Sequence, residues 1–233
     1  AGIVVFNTPG ANANAVKELV LCGMLLASRN VPAALTWAKG LTEDVSKTVE
    51  KGKSQFAGHE ILGKTLGIVG LGAIGRKVAE AAKALGMNIV GYDPYYVSGG
   101  EGLTVYPDLA EMLPLCDIVT LHLPANDATR GMVNKEFLAS MKDGAILLNF
   151  SRDKLVNDVD LLVALESGKL TQYVTDFPND NLIGREHITL LPHLGASTAE
   201  AEDNCATMAV MELRDYFENG NIINSVNFPK VDM

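Results

Sequence analysis

Several features that mark other classes of protein are scarce in this sequence. Its 233 residues contain three cysteines, Cys22, Cys116 and Cys205, which are odd in number and widely separated. That pattern argues against a disulfide framework or a metal site and favours free thiols in a reducing compartment. A formal net charge of −9 argues against a broad nucleic-acid interface. With 48% hydrophobic and 20% charged residues, the chain is expected to bury a substantial core.

No apolar run in the sequence is long enough to cross a membrane. The most apolar stretch, residues 16–27, is interrupted by Lys17 and Glu18 and is shorter than a bilayer requires. The amino end shows no basic and apolar leader of the kind that directs secretion. We therefore expect a cytoplasmic protein without a membrane partner.

One glycine-rich stretch organises the chain. A short, apolar and partly β-branched run predicts a buried strand, and Gly70, Gly72 and Gly75 follow it in the pattern G-x-G-x-x-G. Apolar residues at helical spacing come next, and a second apolar strand ends on Asp93. These elements in this order predict a dinucleotide site. A glycine-rich turn without a ligand is the alternative.

Each part of this unit suits one part of a dinucleotide. The first glycine allows a tight turn, the second lets the backbone approach a pyrophosphate, and the third lets helix and strand pack closely. Amides at the start of the helix direct the positive end of its dipole at the phosphates. Asp93 can accept hydrogen bonds from the adenine ribose and would repel a 2′-phosphate, and Pro94-Tyr95-Tyr96 offers no arginine. NAD is therefore expected rather than NADP.

Strands alternate with helices along the chain, which predicts an α/β fold with a Rossmann-like, doubly wound parallel sheet and ligands at the carboxyl ends of its strands. The expected strands are residues 2–6, 65–69, 88–93, 117–123, 145–149, 172–175 and 188–191. The first expected helix begins at Asn12 or Asn14 and ends near Arg29. The other expected helices cover residues 73–85, 108–113, 135–141, 158–167 and 197–219. Asp158 and the capping box Ser197-Thr198-Ala199-Glu200 are the expected starts of the last two.

The first helix is apolar nearly all round, so it must be covered on more than one side. We expect its own core to cover one side and a subunit interface or a further domain to cover another. The chain is accordingly divided into residues 1–60, a dimerisation helix and arm; residues 61–192, the NAD-binding core; and residues 193–233, a return helix and tail. A homodimer through residues 13–60 is expected. Residues 31–60 are expected to form one helix and an extended arm, and 94–106 a loop.

Arg152, Asp180 and His193 each follow one of the last three expected strands, at the edge where a doubly wound sheet holds its ligands. His193 could take the proton of an alcohol that gives up a hydride, because imidazole titrates near neutral pH. Asp180 could orient that ring, and Arg152 could bind a substrate carboxylate in bidentate fashion. From spacing alone, a structural histidine and a surface ion pair are the alternatives.

Together with the glycine stretch, Asn149-Phe150-Ser151-Arg152 and Pro192-His193-Leu194-Gly195-Ala196-Ser197-Thr198 resemble motifs of the D-isomer-specific 2-hydroxyacid dehydrogenases. The resemblance covers nearly the whole chain. It implies that Arg152 binds the substrate, that His193 is the acid/base and that Asp180 takes the place of its acidic partner. It also implies contacts to NAD from Ala73, Ile74, Asp93, Leu123, Thr129, Phe150, Thr175, Gly195 and Ala196.

The sequence departs from the family pattern at three places. Asp180 is one methylene shorter than the usual glutamate, and Asp153-Lys154 follow Arg152 where two glycines are usual. Thr175 stands where an aspartate commonly contacts the nicotinamide ribose, and Asp176 comes one residue later. The register of this contact therefore has two alternatives.

The resemblance is strongest to family members that act on 3-phosphoglycerate, and it implies oxidation to 3-phosphohydroxypyruvate in serine biosynthesis. Enzymes of glycerate, glyoxylate or lactate are alternatives, as is a non-catalytic NAD-binding dimerisation module. The leading segment that forms most of the family's substrate domain is largely absent from this chain. We therefore expect a cofactor-binding part that is weakly active or inactive by itself.

Overall fold

The computed structural model describes residues 2–96 and 102–228. The expected loop 94–106 lies partly outside these residues, and in its described part Thr104–Val105 form a strand that was not predicted. The end of the tail, residues 229–233, also lies outside the described residues. All structural statements below concern the described residues.

A seven-stranded sheet forms the centre of the described chain, and all its neighbouring strands pair in parallel. In chain order the strands are β1 Thr65–Val69, β2 Asn88–Tyr92, β3 Thr104–Val105, β4 Ile118–Leu121, β5 Ala145–Asn149, β6 Leu170–Thr175 and β7 Ile188–Leu190. They lie side by side in the order β3-β2-β1-β4-β5-β6-β7. The strand order reverses between β1 and β4, where such sheets open their ligand crevice. The predicted Rossmann-like α/β fold is confirmed.

Helices cover both faces of this sheet. They are α1 Ala13–Ser28, α2 Val31–Lys39, α3 Val45–Gly52, α4 Ala73–Ala84, α5 Leu109–Met112, α6 Lys135–Ser140, α7 Asp158–Glu166 and α8 Ala199–Asn219. On one face, α1 and α4 contribute Val20, Met24 and Val78 to a buried apolar cluster. On the other face, α6 and α7 contribute Phe137 and Leu161 to a second cluster. Each fully buried side chain of this size contributes about 1.5–3 kcal/mol, so the two clusters hold the sheet between its helical layers.

The predicted strand at residues 2–6 is wrong. Within this segment, Phe6 alone forms a β-bridge, which is antiparallel and joins it to Ser225. The amide of Val226 donates to the carbonyl of Val5 at 2.9 Å. The segment therefore pairs with the carboxyl-terminal tail and not with the sheet, and both Ile3 and Val5 are exposed.

Two expected helix starts shift by one residue. Asn157, and not Asp158, caps α7, because its side chain accepts hydrogen bonds from the first amides of that helix. At α8 the cap is the hydroxyl of Thr198, and not Ser197. Asn12 stands at the start of α1 as expected, although its side chain makes no capping hydrogen bond. The lengths of these helices otherwise follow the predicted pattern.

The outer side of α1 is only partly covered within the chain. Val16 is buried on the inner side, whereas Leu25 is 43% exposed. Residues 31–60 fold as α2, α3 and a short 3₁₀ turn, Lys53–Phe56, instead of one helix and an arm. The homodimer through residues 13–60 stays a prediction.

Among the described residues, no helix by itself is both long enough and apolar enough to cross a membrane. The pair α1 and α2, which is bent by 68°, is long and apolar enough only when the two helices are taken together. Within the same residues, no three side chains of histidine, cysteine, aspartate or glutamate come together as metal ligands.

Candidate active site

The glycine-rich turn between β1 and α4 is closely packed at two glycines and open at the third. At Gly70, φ is +99° and an added Cβ would collide with the carbonyl oxygen of His122. At Gly75 it would collide with the carbonyl oxygen of Gly70. Gly72 precedes α4 and has nothing within 4 Å of the position of a Cβ. This open surface at a helix start fits the close approach of a pyrophosphate.

Asp93 follows β2 and borders the glycine turn. One of its carboxylate oxygens accepts a hydrogen bond from the amide of Leu71 at 2.8 Å, and the other accepts one from the amide of Tyr95 at 2.9 Å. These bonds hold the carboxylate beside the turn, and each oxygen keeps a lone pair for a further donor. The position fits the predicted contact with ribose hydroxyls.

An arginine reaches the loop after Asp93 from α4. The guanidinium of Arg76 donates a hydrogen bond to the hydroxyl of Tyr96 at 2.8 Å and lies 5.5 Å from the centre of its ring. The residues that follow Asp93 in sequence could not reveal this group, because α4 and the loop meet only in space. Arg76 adds a positive charge to this edge of the site.

A pocket of about 310 Å³ opens at the carboxyl ends of β4 to β7, which is a size typical of a small-molecule site. It brings together the predicted site residues Ile74, Leu123, Phe150, Arg152, His193, Gly195 and Ala196. It is also lined by Asp176, which the sequence offered as the alternative to Thr175. The other lining residues, which were not predicted as site residues, are Asn12, Val16, His122, Pro124, Ser151 and Phe177.

Buried polar groups at the end of β5 position Arg152. The side chain of Asn149 accepts a hydrogen bond from the amide of Ser151 at 3.1 Å and donates one to the carbonyl of Arg152 at 2.9 Å. The hydroxyl of Ser151 donates to the carbonyl of Leu121 in β4 at 2.6 Å. Asn149 and Ser151 are buried, whereas Arg152 is exposed at the pocket. The turn thus presents a guanidinium that can pair with an anion.

His193 has a left-handed backbone conformation, with φ at +50°. Its amide donates to the carbonyls of Asp176 at 2.9 Å and Leu191 at 3.1 Å. Its imidazole packs on the ring of Phe177, with the ring centroids 4.7 Å apart. A non-glycine residue in this conformation costs about 1–2 kcal/mol, so the surrounding contacts impose it. The exposed imidazole can exchange a proton with a ligand in the pocket.

Asp176 is the buried carboxylate of the pocket, with 1% of its surface exposed. Its Oδ2 accepts a hydrogen bond from the amide of Gly195 at 2.9 Å, and its Oδ1 has no hydrogen-bond partner among the described residues. Burial raises the pKa of Asp176 above its ordinary value, although the Gly195 amide and the charge of His193 act in the opposite direction. A buried oxygen without a partner is costly, and a donor from a bound molecule would satisfy it.

Thr175 and Asp180 do not line this pocket. Thr175 is fully buried, and its hydroxyl donates to the carbonyl of Asn149 at 2.8 Å. Asp180 lies in an exposed turn, and in the described part of the chain no hydrogen bond or ion pair joins it to His193. Of the two alternatives for the register after β6, the structure places Asp176 at the pocket. The roles assigned to Thr175 and Asp180 stay predictions.

Thr129 lies in the turn that follows β4. Its hydroxyl donates to the carbonyl of Pro124 at 2.6 Å and accepts from the amide of Asn126 at 3.0 Å. These bonds shape the segment that carries Leu123 and Pro124 to the pocket. The predicted contact of Thr129 with NAD stays a prediction.

His122 lies half-buried after β4, and the sequence did not reveal that its Nδ1 atom is buried. Its Nε2 lies 3.1 Å from the hydroxyl oxygen of Thr120, and its Nδ1 has no partner among the described residues. Burial lowers the pKa of His122 to about 3, so its ring is neutral near pH 7. Alternation along β4 shows only that these two side chains share a face. Their burial depends on the packing of other elements around the strand end.

We expect the stability of the chain to decrease as pH falls from 6.5, the ordinary pKa of histidine, towards 3. In this interval the unfolded chain binds a proton at His122 and the folded chain does not. Through this group, the free energy of unfolding should therefore decrease by up to about 1.4 kcal/mol per pH unit.

Urea unfolding of wild type and His122→Gln at pH 7.5 and 5.0 measures the effect. The variant should lose less stability than wild type and than His187→Gln, a control at an exposed histidine. Equal losses in all three proteins would contradict the assignment.

The chain resembles a known family in sequence. The model of the D-isomer specific 2-hydroxyacid dehydrogenase NAD binding domain matches residues 21–195. D-3-phosphoglycerate dehydrogenase of Methanocaldococcus jannaschii is 36% identical over 99% of this chain and 44% of its own length. The enzyme of that name from Haemophilus influenzae is 38% identical over 100% of this chain and 57% of its own length. The chain thus spans about half the length of these curated relatives.

Solved structures show the same likeness. The apo form of D-mandelate dehydrogenase from Rhodotorula graminis superposes with a TM-score of 0.88 at 26% identity, over 98% of this chain and 70% of that one. A glyoxylate reductase from Paecilomyes thermophila gives a TM-score of 0.83 at 30% identity, over 97% of this chain and 69% of its own. The likeness therefore extends over nearly the whole fold of this chain.

Proposed function

Because the chain belongs to the family of D-isomer-specific 2-hydroxyacid dehydrogenases, we propose that it is the NAD-binding part of an enzyme that oxidises 3-phosphoglycerate to 3-phosphohydroxypyruvate. The observation that carries the proposal is the meeting of Ile74, from the glycine turn, with Arg152 and His193 in one pocket. Similarity to D-3-phosphoglycerate dehydrogenases supports this substrate. The reaction would serve serine biosynthesis in the cytoplasm, where the three free cysteines would stay reduced.

The residues around the glycine turn suit NAD, which when bound supplies the hydride acceptor. We assign the pyrophosphate to the open surface at Gly72 and to the amides of Ala73 and Ile74. Asp93 would accept hydrogen bonds from the adenine ribose. The remaining predicted contacts that line the pocket are Leu123, Phe150, Gly195 and Ala196.

The chemistry on the substrate falls to exposed groups at the strand ends. Arg152 would bind the substrate carboxylate and orient the neighbouring carbon. His193 would take the hydroxyl proton as the hydride leaves. Asp176, whose pKa the charge of His193 acts to lower, would stabilise the protonated imidazole. Asp180 is the other candidate for that task, on the strength of the family resemblance.

A different 2-hydroxy acid is the second candidate substrate, because D-mandelate dehydrogenase and glyoxylate reductase share the fold at 26% and 30% identity. A panel of hydroxy acids given to the full-length protein, with NADH read at about 340 nm, decides between them. The highest kcat/KM for 3-phosphoglycerate would support the proposal, and a higher value for another acid would overturn it. Absence of turnover with every acid would favour the non-catalytic dimerisation module.

We propose that the protein is a homodimer through residues 13–60. This region exposes Leu25, Leu35 and Val45 by 43%, 53% and 48% of their surfaces. Large exposed apolar patches mark protein–protein interfaces, and these three side chains would contribute to such a patch. This surface would serve association in the enzyme and in the non-catalytic alternative alike.

Asp93→Ala is expected to weaken NADH binding by about 10- to 100-fold, because a hydrogen bond to a charged group contributes about 1.5–3 kcal/mol. Titration of NADH fluorescence with this chain measures the change. The ratio of NADH to NADPH affinity should also move towards one, since repulsion of the 2′-phosphate is removed. Asp203→Ala, at an exposed position of α8, is the control and should bind as wild type does. An unchanged affinity and ratio in Asp93→Ala would remove this residue from the site.

A further inference from the structure

One charged group at the edge of the cofactor site has no role in the proposed function. Arg76 is the fourth residue of α4 and follows Gly75, the last glycine of the turn. Side chains of a helix are tilted towards its amino end, so this side chain points back towards the glycine turn. Its exposed guanidinium donates a hydrogen bond to the hydroxyl of Tyr96 at 2.8 Å and lies 5.5 Å from the centre of that ring. Arg76 therefore connects α4 to the loop that follows β2.

That loop begins with a tight turn that carries both Asp93 and Tyr96. The amide of Tyr96 donates to the carbonyl of Asp93 at 3.2 Å, which closes a four-residue turn. The amide of Tyr95 donates to one carboxylate oxygen of Asp93 at 2.9 Å, and the amide of Leu71 donates to the other at 2.8 Å. The carboxylate that we assign to the adenine ribose and the partner of the guanidinium thus belong to one turn, which is fixed beside the glycines.

The guanidinium of Arg76 keeps several unused donors. An arginine has five N–H groups in a planar fork, and within the described residues this side chain makes one hydrogen bond, to Tyr96. Neither Asp93 nor Glu80, one helical turn further along α4, forms an ion pair with it in the described part of the chain. Because charge-assisted hydrogen bonds are stronger than bonds to a neutral hydroxyl, an anion at this edge would compete well with Tyr96 for the guanidinium.

We propose that Arg76 is a specificity-determining residue of the cofactor site, where its guanidinium pairs with the 2′-phosphate of NADPH. The inference rests on the proposed function, because it requires the adenine ribose to lie beside Asp93. A guanidinium matches a phosphate group with two parallel hydrogen bonds. Asp93 repels the 2′-phosphate and Arg76 attracts it, so the preference for NAD over NADP is the difference between two opposing effects. The residues that follow Asp93 offer no arginine, and α4 supplies one from another part of the chain.

A structural role is the alternative, in which Arg76 only holds the loop after β2 in place through Tyr96. The two roles have different consequences for the two dinucleotides. Loss of a structural contact would displace Asp93 and change the affinities for NADH and NADPH together. Loss of a phosphate contact would weaken NADPH alone. The ratio of the two affinities therefore separates the roles.

Asp93→Ala and Arg76→Gln, alone and combined, form a double-mutant cycle that is measured by fluorescence titration with NADH and with NADPH. Compared with Asp93→Ala, the double variant should bind NADPH at least about tenfold more weakly, as expected for the loss of a charged hydrogen bond. Its affinity for NADH should differ by less than about threefold from that of Asp93→Ala. Arg76→Lys in the same background should bind NADPH with an intermediate affinity, since it keeps the charge but not the planar fork.

Lys77→Gln is the matched control, at the exposed neighbouring position of α4, and should leave both affinities as they are in wild type. An NMR titration of the ¹⁵N-labelled Asp93→Ala chain follows the guanidinium directly. Here 2′,5′-ADP should shift the Nε resonance of Arg76, whereas 5′-AMP, which differs only in lacking the 2′-phosphate, should not.

Equal losses of NADH and NADPH affinity in Arg76→Gln would assign the structural role and overturn the proposal. An unchanged NADPH affinity in the double variant, or an Nε resonance that 2′,5′-ADP does not shift, would overturn it as well. A wild-type chain that binds neither dinucleotide would instead contradict the proposed function, on which this inference rests.

Discussion

His193→Asn in the full-length protein is expected to lower kcat for 3-phosphoglycerate by about 10³-fold, within the range that a general acid or base contributes. The variant removes the imidazole that would take the hydroxyl proton. Asparagine is the suitable replacement because it tolerates the left-handed conformation that His193 adopts at φ +50°. The affinity for NADH should change little, because the substitution removes only the packing of the imidazole on the ring of Phe177 and no side-chain hydrogen bond among the described residues.

His187→Asn is the matched control for this experiment. His187 also has a left-handed backbone, with φ at +64°, but it precedes β7 and so lies at the opposite edge of the sheet from the pocket. It should keep the wild-type kcat. Wild-type turnover in His193→Asn would exclude His193 as the acid/base.

The parts of the fold that depend on local sequence were predicted well. The unit from β1 through the glycine turn to β2 is specified by a short apolar run, by Gly70, Gly72 and Gly75, and by an acidic strand end. Each of these features acts within a few residues along the chain, so their spacing in the sequence is enough to predict the strand, the turn and the helix. Residues 2–6 show the limit of this reasoning. Their apolar pattern is equally compatible with a sheet strand, but they pair with the tail near Ser225, which no local rule indicates.

The candidate site was predicted less completely because burial and register depend on tertiary packing. Arg152 and His193 follow strand ends, and strand ends of a parallel sheet share one edge, so the prediction brought both to the pocket. Asp176 and Thr175 are neighbours, and a shift of one residue exchanges the side chain that faces the pocket for the one that faces the sheet. His122 carries no local sign of burial, and its depressed pKa arises only from packing.

Gly75→Ala and Gly72→Ala are expected to separate the two tasks of the glycine turn. At Gly75 a Cβ would collide with the carbonyl oxygen of Gly70, and backbone there cannot yield as a side chain can. We expect a loss of about 1–3 kcal/mol in the free energy of unfolding, as overpacking in a core costs. At Gly72 the space is open and φ is −68°, so alanine fits without a collision. Because Gly72 is the N-cap of α4, where glycine is preferred to alanine, we expect a loss of at most about 1 kcal/mol.

Binding of NADH should respond more strongly to Gly72→Ala than the stability of the fold does. The methyl group of Gly72→Ala would stand on the surface that we assign to the pyrophosphate, so the affinity should fall at least about tenfold, or 1.4 kcal/mol, while the fold is kept. Urea unfolding and NADH fluorescence titration of the same preparations give both quantities. Gly40→Ala, at the end of α2 with φ at −83°, controls for the loss of a glycine elsewhere and should change neither strongly. Wild-type affinity in a stable Gly72→Ala would place the pyrophosphate away from the turn, because a bound diphosphate and a new methyl group cannot share that surface.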